Sequence, residues 1–80
     1  STISGSQLQA GRALLDISIK ELSDISGVSW ATIQRFEEAS GIPPSRSGNL
    51  EKAKSALEAR GVVFLGDPIE SPGVQLVKIK

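Results

Sequence analysis

Residues 18–37 read SIKELSDISGVSWATIQRFE. Leu22, Ile25, Val28, Ile33 and Phe36 are its apolar positions, and Gly27 separates the first pair from the rest. Ser18 is followed three residues later by Glu21, the spacing of a capping box. There the hydroxyl takes the amide of residue 21, and the carboxylate takes the amide of residue 18. A helix over Ile19–Ser26 follows, ending at Gly27, the residue type best suited to a left-handed helix terminus. Ser29 is placed to cap a second helix over about Trp30–Ala39, whose apolar positions Ile33 and Phe36 point inward with Val28. The stretch is therefore two short helices joined by one tight turn.

On the N-terminal side, residues 1–5 are rich in Ser, Thr and Gly and are expected to fray. Ser4 or Ser6 can cap a first helix over residues 6–15, where Leu8, Leu15 and the Ala10/Ala13/Leu14 group recur at helical spacing. Asp16-Ile17-Ser18 closes it. On the C-terminal side, Gly41-Ile42-Pro43-Pro44-Ser45-Arg46-Ser47-Gly48 holds two prolines and two glycines and reads as a loop. Asn49 is expected to cap a fourth helix over Leu50–Arg60, ended by Gly61. The last twenty residues change character. Val62-Val63-Phe64-Leu65 and Val74-Gln75-Leu76-Val77-Lys78-Ile79-Lys80 are β-prone and flank the turn-rich residues 66–73, so they predict a β-hairpin with a long, mobile loop. The expected architecture is mainly α: a four-helix unit over residues 1–61 and a two-stranded β-hairpin over residues 62–80 that extends the same domain.

Composition narrows the function. Eighty residues make one small domain. The chain has no Cys and no His, which removes disulfides, zinc–thiolate sites and the commonest neutral-pH acid/base. Asp16, Asp24 and Glu37 read as structural or solvated acids, so no enzyme, cofactor or metal site is expected. No apolar run approaches the roughly 20 residues that span a bilayer, and no secretory signal is visible. The chain has no Met, as initiator removal before Ser1 or truncation would leave it. The expected compartment is the reducing cytoplasm. The formal net charge is zero. Residues 1–50 carry four basic side chains against five acidic ones, and residues 51–80 carry five against four. Any polyanion must therefore be met by a local face, with weak sequence-independent affinity.

Two helices joined by a short glycine turn are a device for carrying the second helix into the major groove of DNA. Over residues 6–60 the chain resembles the lambda-repressor-like, Cro/Xre-type helix–turn–helix family. The likeness lies in Leu22, Gly27, Val28-Ser29, Thr32-Ile33 and Phe36-Glu37 at the family's spacing, together with the order of the flanking helices. The terminal hairpin resembles a subgroup of very short bacterial regulators. The resemblance implies base contacts from Trp30, Ala31 and Arg35, with Gln34 beside them, and phosphate contacts near Ser29 and Thr32. Arg35 has the chemistry to hold guanine O6 and N7 in a bidentate bond, and its alternative is a surface ion pair with Glu37 or Glu38. Trp30 either meets a thymine methyl or folds back over Ile19 or Ile25. Gln34 either reads adenine or is solvated. Ser18 leaves helix-start amides suited to phosphate, and Lys20 and Arg46 are generic phosphate partners or solvated charges. The family commonly pairs an Arg on the first helix with the Glu that ends the reading helix, which here implies Arg12 with Glu37. Three positions depart from the family pattern: Ile19 stands where a phosphate-fixing Gln is frequent, Ser23 where Ala is frequent, and the loop after the third helix offers only Arg46.

The hairpin has apolar residues on both faces, and one helical layer covers only one of them. A lone two-stranded ribbon is marginal in water. Its second face or free edge is thus expected to meet a second copy through Val63, Leu65, Val77 and Ile79. The expected function is a repressor-type, sequence-specific regulator that binds double-stranded DNA as a homodimer, nucleoid-associated when bound. The alternative is a protein-interaction module, such as an antitoxin or adaptor, using the same fold toward a protein partner.

Overall fold

The computed structural model describes residues 2–78. It contains α1 (Gly5–Leu15), α2 (Ile19–Ser26), α3 (Trp30–Glu38), α4 (Asn49–Glu58) and an antiparallel pair, β1 (Val62–Leu65) and β2 (Gly73–Leu76). The chain is thus mainly helical with a terminal two-stranded hairpin. Among the described residues, no helix is long and apolar enough to cross a membrane.

One local device starts three of the four helices. Ser4, Ser18 and Ser29 are extended N-cap residues whose hydroxyls accept the backbone N–H of Gln7, Glu21 and Thr32, three positions on. At the first two, the Gln7 and Glu21 side chains complete the box by accepting the cap residue's own N–H. Each serine is preceded by an apolar residue (Ile3, Ile17, Val28) and followed four positions later by another (Leu8, Leu22, Ile33), the positions of a hydrophobic staple. Five of these six are buried in the core, and Ile17 packs against it half-buried. Helix initiation and core formation are therefore carried by the same short segments. Phe36, Leu57 and Val62 complete the centre of the core.

The first residues correct an expectation. Of the residues expected to fray, 3–5 do not: Ile3 is 1% exposed, Ser4 caps α1, and Gly5 N–H donates to Gly41 C=O at 3.0 Å; residue 1 lies outside the described residues. The apolar Ile3 side chain draws the segment into the core, outweighing its Ser/Thr/Gly surroundings. The start of α4 is a second correction. Asn49 is the first helical residue, not the cap. The cap is Gly48, in the left-handed region at φ 70°, without a side-chain cap bond. Ser45 Oγ instead accepts Leu50 N–H at 2.9 Å. The fourth helix also ends at Glu58, because Arg60 and Gly61 turn back onto the Leu57 and Glu58 carbonyls.

In the hairpin, Val62 pairs with Leu76, Val63 with Gln75, Phe64 with Val74 and Leu65 with Gly73. β2 is shorter than its apolar run, although Val77 N–H still donates to Gly61 C=O at 2.8 Å. Val62 and Phe64 turn toward the helices, where they lie against Gly11 of α1. The connecting loop is tied rather than open. Asp67 Oδ2 accepts Ile69 N–H at 2.9 Å and Glu70 N–H at 2.7 Å, and Ser71 N–H donates to Asp67 C=O. The amides of Glu70 and Ile69 hold the Asp67 carboxyl below its ordinary value. Because the folded-state value is the depressed one, its contribution is present above the unfolded-state value and is lost as pH falls through the folded one. The amide resonances of Ile69 and Glu70 are expected to titrate together on acidification, with a midpoint below that of a free aspartate, and Asp67→Ala should abolish the transition.

Candidate nucleic-acid interface

α3 divides cleanly. Ile33 and Phe36 are buried, whereas Trp30, Ala31, Arg35 and Glu38 are exposed and Thr32, Gln34 and Glu37 are half-buried. The division follows from helical spacing: positions 33 and 36 share the core face, and 31, 35 and 38 share the opposite one. Trp30 is 48% exposed on the first turn, so about half of it is open to solvent, and Ile25, one of the residues it could cover, is itself 38% exposed. A half-bare indole costs free energy that a flat apolar partner would recover.

Among the described residues, the Arg35 side chain makes no hydrogen bond or ion pair. Glu37, one of its two expected partners, is engaged elsewhere. Arg35 and Arg46 line one depression with Phe36, Pro44, Ser47 and Asn49, so α3 and the following loop each bring one arginine to the same part of the surface. Glu38 adds one acidic group to the same side of α3. Lys20 is committed to Asp24, Nζ to Oδ2 at 3.2 Å, but both side chains are more than half exposed. Such a pair is worth little and yields readily to another anion. The Ser18 hydroxyl serves the α2 cap, and the Ser29 hydroxyl accepts Thr32 N–H while donating to Thr32 Oγ1 at 2.8 Å. The caps leave the Ser29 and Thr32 hydroxyls joined at the start of α3, facing outward with Trp30.

Behind α3, Arg12 and Glu37 form a two-pronged ion pair: Nε donates to Oε2 and Nη2 to Oε1, each at 2.8 Å. Nη1 donates to Ile17 C=O at 3.0 Å, so the guanidinium also closes the α1–α2 corner. The hydrogen bonds to Glu37, reinforced by its charge, raise the Arg12 pKa above its ordinary value against the opposing effect of burial. Glu37 is the more enclosed partner, its side chain 6% exposed against 19% for Arg12. The pair fixes the rotation of α3 against α1.

Gln7 has a role that sequence reasoning missed. It is buried, its Oε1 accepts Ser4 N–H, and its Nε2 donates to Leu65 C=O and Gly73 C=O at 3.1 and 3.0 Å. The Ser4-x-x-Gln7 spacing was a usable signal for the cap, but nothing local points to the two hairpin carbonyls. On the far side of the hairpin, strand alternation puts Val63, Leu65 and Val77 on one face, and all three are exposed. Ile79, the fourth residue expected there, lies outside the described residues. Compared with models of known protein families the chain matches none, and no curated protein sequence matches it.

Proposed function

We propose that the chain is a sequence-specific, repressor-type DNA-binding regulator of the lambda-repressor-like, Cro/Xre kind, in which α2 positions and α3 reads a major-groove half-site. The observation that carries this reading is the outer face of α3. An unpaired Arg35, a half-exposed Trp30 and a small Ala31 stand together there, braced from behind by Arg12–Glu37 and flanked by Arg46. Arg35 and Trp30 read base edges with Gln34 and Ala31; Lys20, Arg46 and the amides at the Ser18 and Ser29 caps meet phosphates. The protein works in the cytoplasm as a homodimer joined through Val63, Leu65 and Val77, so its operator is roughly palindromic.

A second reading is favoured by the zero net charge and by Ile19, which donates no hydrogen bond where the family frequently has Gln. In it the same fold is an antitoxin- or adaptor-like module that binds a protein through the apolar hairpin face. A fluorescence-anisotropy titration of mixed-sequence and selected duplexes at two salt concentrations separates the two. The DNA reading predicts a log–log salt slope of about −3 to −5, from the few cationic side chains near α3, and a clear preference for the selected site. Absence of binding at low salt refutes it and favours the protein partner.

Two substitutions probe the parts. Arg35→Ala is expected to weaken each half-site by about 5- to 150-fold, compounded over the two half-sites of the dimer, and to relax one guanine position in each, with the unfolding temperature nearly unchanged. A uniform loss on all sequences with a shallower salt slope would instead make Arg35 a phosphate contact. Val63→Lys combined with Val77→Lys is expected to give monomers in sedimentation velocity, and a surviving dimer would show that the subunits meet elsewhere.

A further inference from the structure

α1 is a plate between two functional elements. On one side, the Cα of Gly5 abuts the Phe36 carbonyl at the C-terminal end of α3, and Arg12 grips Glu37. On the other side lies the hairpin. Part of the α1–hairpin contact is apolar packing, with Gly11 against Val62 and Phe64. Such contacts are nondirectional and set a distance better than an angle. The Gln7 amide is directional. Its two N–H groups reach both strands at once, on Leu65 and Gly73, the last pair before the loop. Its oxygen is held by the Ser4 cap amide, so three hydrogen bonds fix the orientation of the amide.

Resting on the reading above, in which α3 binds DNA and the hairpin joins two copies, we propose that Gln7 is a positioning residue that sets the hairpin's angle on α1 and thereby the half-site spacing the dimer accepts. The lever is long. The molecule extends 33 × 30 × 19 Å, so over a lever of about 20–30 Å a turn of the hairpin by about 10° displaces the partner's α3 by about 3.5–5 Å, at least the roughly 3.4 Å rise of one base pair.

The test uses duplexes that carry two copies of the half-site selected by the unsubstituted protein, with the spacer varied one base pair at a time over a helical turn. The unsubstituted protein is expected to prefer one spacing by about tenfold or more. Gln7→Met, which matches the side chain in length but donates nothing, is expected to reduce that preference to about threefold or to move it by a base pair, while affinity for a single half-site stays within about twofold. Gln7→Asn, one methylene too short to reach both strands, should behave alike. A purely structural role would lower stability and leave the spacing profile in place. An unchanged profile in a folded Gln7→Met protein overturns this proposal alone, and so does the unfolding of both variants, which would make Gln7 only a support. A protein without substitutions that selects no duplex overturns the DNA reading and this proposal with it.

Discussion

Arg12→Ala is expected to lower the unfolding temperature by about 12–24 °C and to weaken DNA binding in the same protein. The guanidinium supplies two short bonds to Glu37 and one to the Ile17 carbonyl. Truncating it removes both hydrogen-bond donors from a Glu37 carboxylate whose side chain is only 6% exposed in the intact pair. Removing one member of a buried ion pair costs about 3–5 kcal/mol, and the partial exposure of Arg12 argues for the lower end of that range. In a domain of this size each kcal/mol is worth about 4–8 °C. The two halves of the pair are not equivalent. Glu37→Ala should cost less than Arg12→Ala, because Arg12 is the more exposed partner and retains its bond to Ile17. Replacing both by apolar residues should recover part of the loss in stability but not in DNA affinity, since α3 would no longer be held at one rotation. Thermal melts of the three variants, read beside anisotropy titrations, check each statement. An unchanged melting temperature in Arg12→Ala would remove the bracing role.

Gly5→Ala, a single added methyl group, is expected to cost about 3 kcal/mol or more. A β-carbon at this position would overlap the Phe36 carbonyl oxygen and lie 3.1 Å from that of Ala39, and both obstacles are main chain. Neither can rotate away as a side chain can. The start of α1 would have to leave the end of α3, straining the Gly5–Gly41 hydrogen bond and loosening Phe36, which is 1% exposed. Gly11 supplies the contrast. A β-carbon there would sit 3.2–3.3 Å from the tips of Leu57, Val62 and Phe64, side chains that can give by tenths of an ångström. Replacing an interior helical glycine by alanine gains about 1 kcal/mol of helix propensity, so Gly11→Ala should be near neutral. Chemical denaturation of both variants is decisive: a Gly5→Ala protein as stable as the unsubstituted one would show that the α1–α3 approach at Gly5 is not the tight contact described.

What the sequence makes legible here is what short-range chemistry decides. The Ser18–Glu21 box, the Gly27 terminus and the Ser29 cap each involve groups within four residues of one another, so α2, α3 and their turn are readable from residues 18–37. The hydrophobic staples are equally local, and Ile3 with Leu8 around Ser4-x-x-Gln7 is a stronger signal than the Ser/Thr/Gly composition of residues 1–5. Gln7 as a bridge was not legible. Its acceptors are backbone carbonyls 58 and 66 positions away, and carbonyls leave no mark in a sequence. Asn49 misled for a related reason: Gly48 can adopt the left-handed conformation that closes the preceding turn, and this moved the cap one residue earlier. At the candidate site, the inward Ile33 and Phe36 follow from periodicity. The freedom of Arg35 does not: Glu37, two positions on, faces the other side of the helix and pairs with Arg12, and Glu38, on the same side as Arg35, makes no bond to it among the described residues.

Whether the outer face of α3 reads DNA sequence is decided by selection from a random duplex pool. Repeated capture by the protein at low and then physiological salt should enrich two related half-sites in inverted orientation. Each should carry a guanine whose enrichment disappears when the selection is repeated with Arg35→Ala. A pool that remains indistinguishable from the input at low salt, with folded and active-concentration-matched protein, would contradict the account.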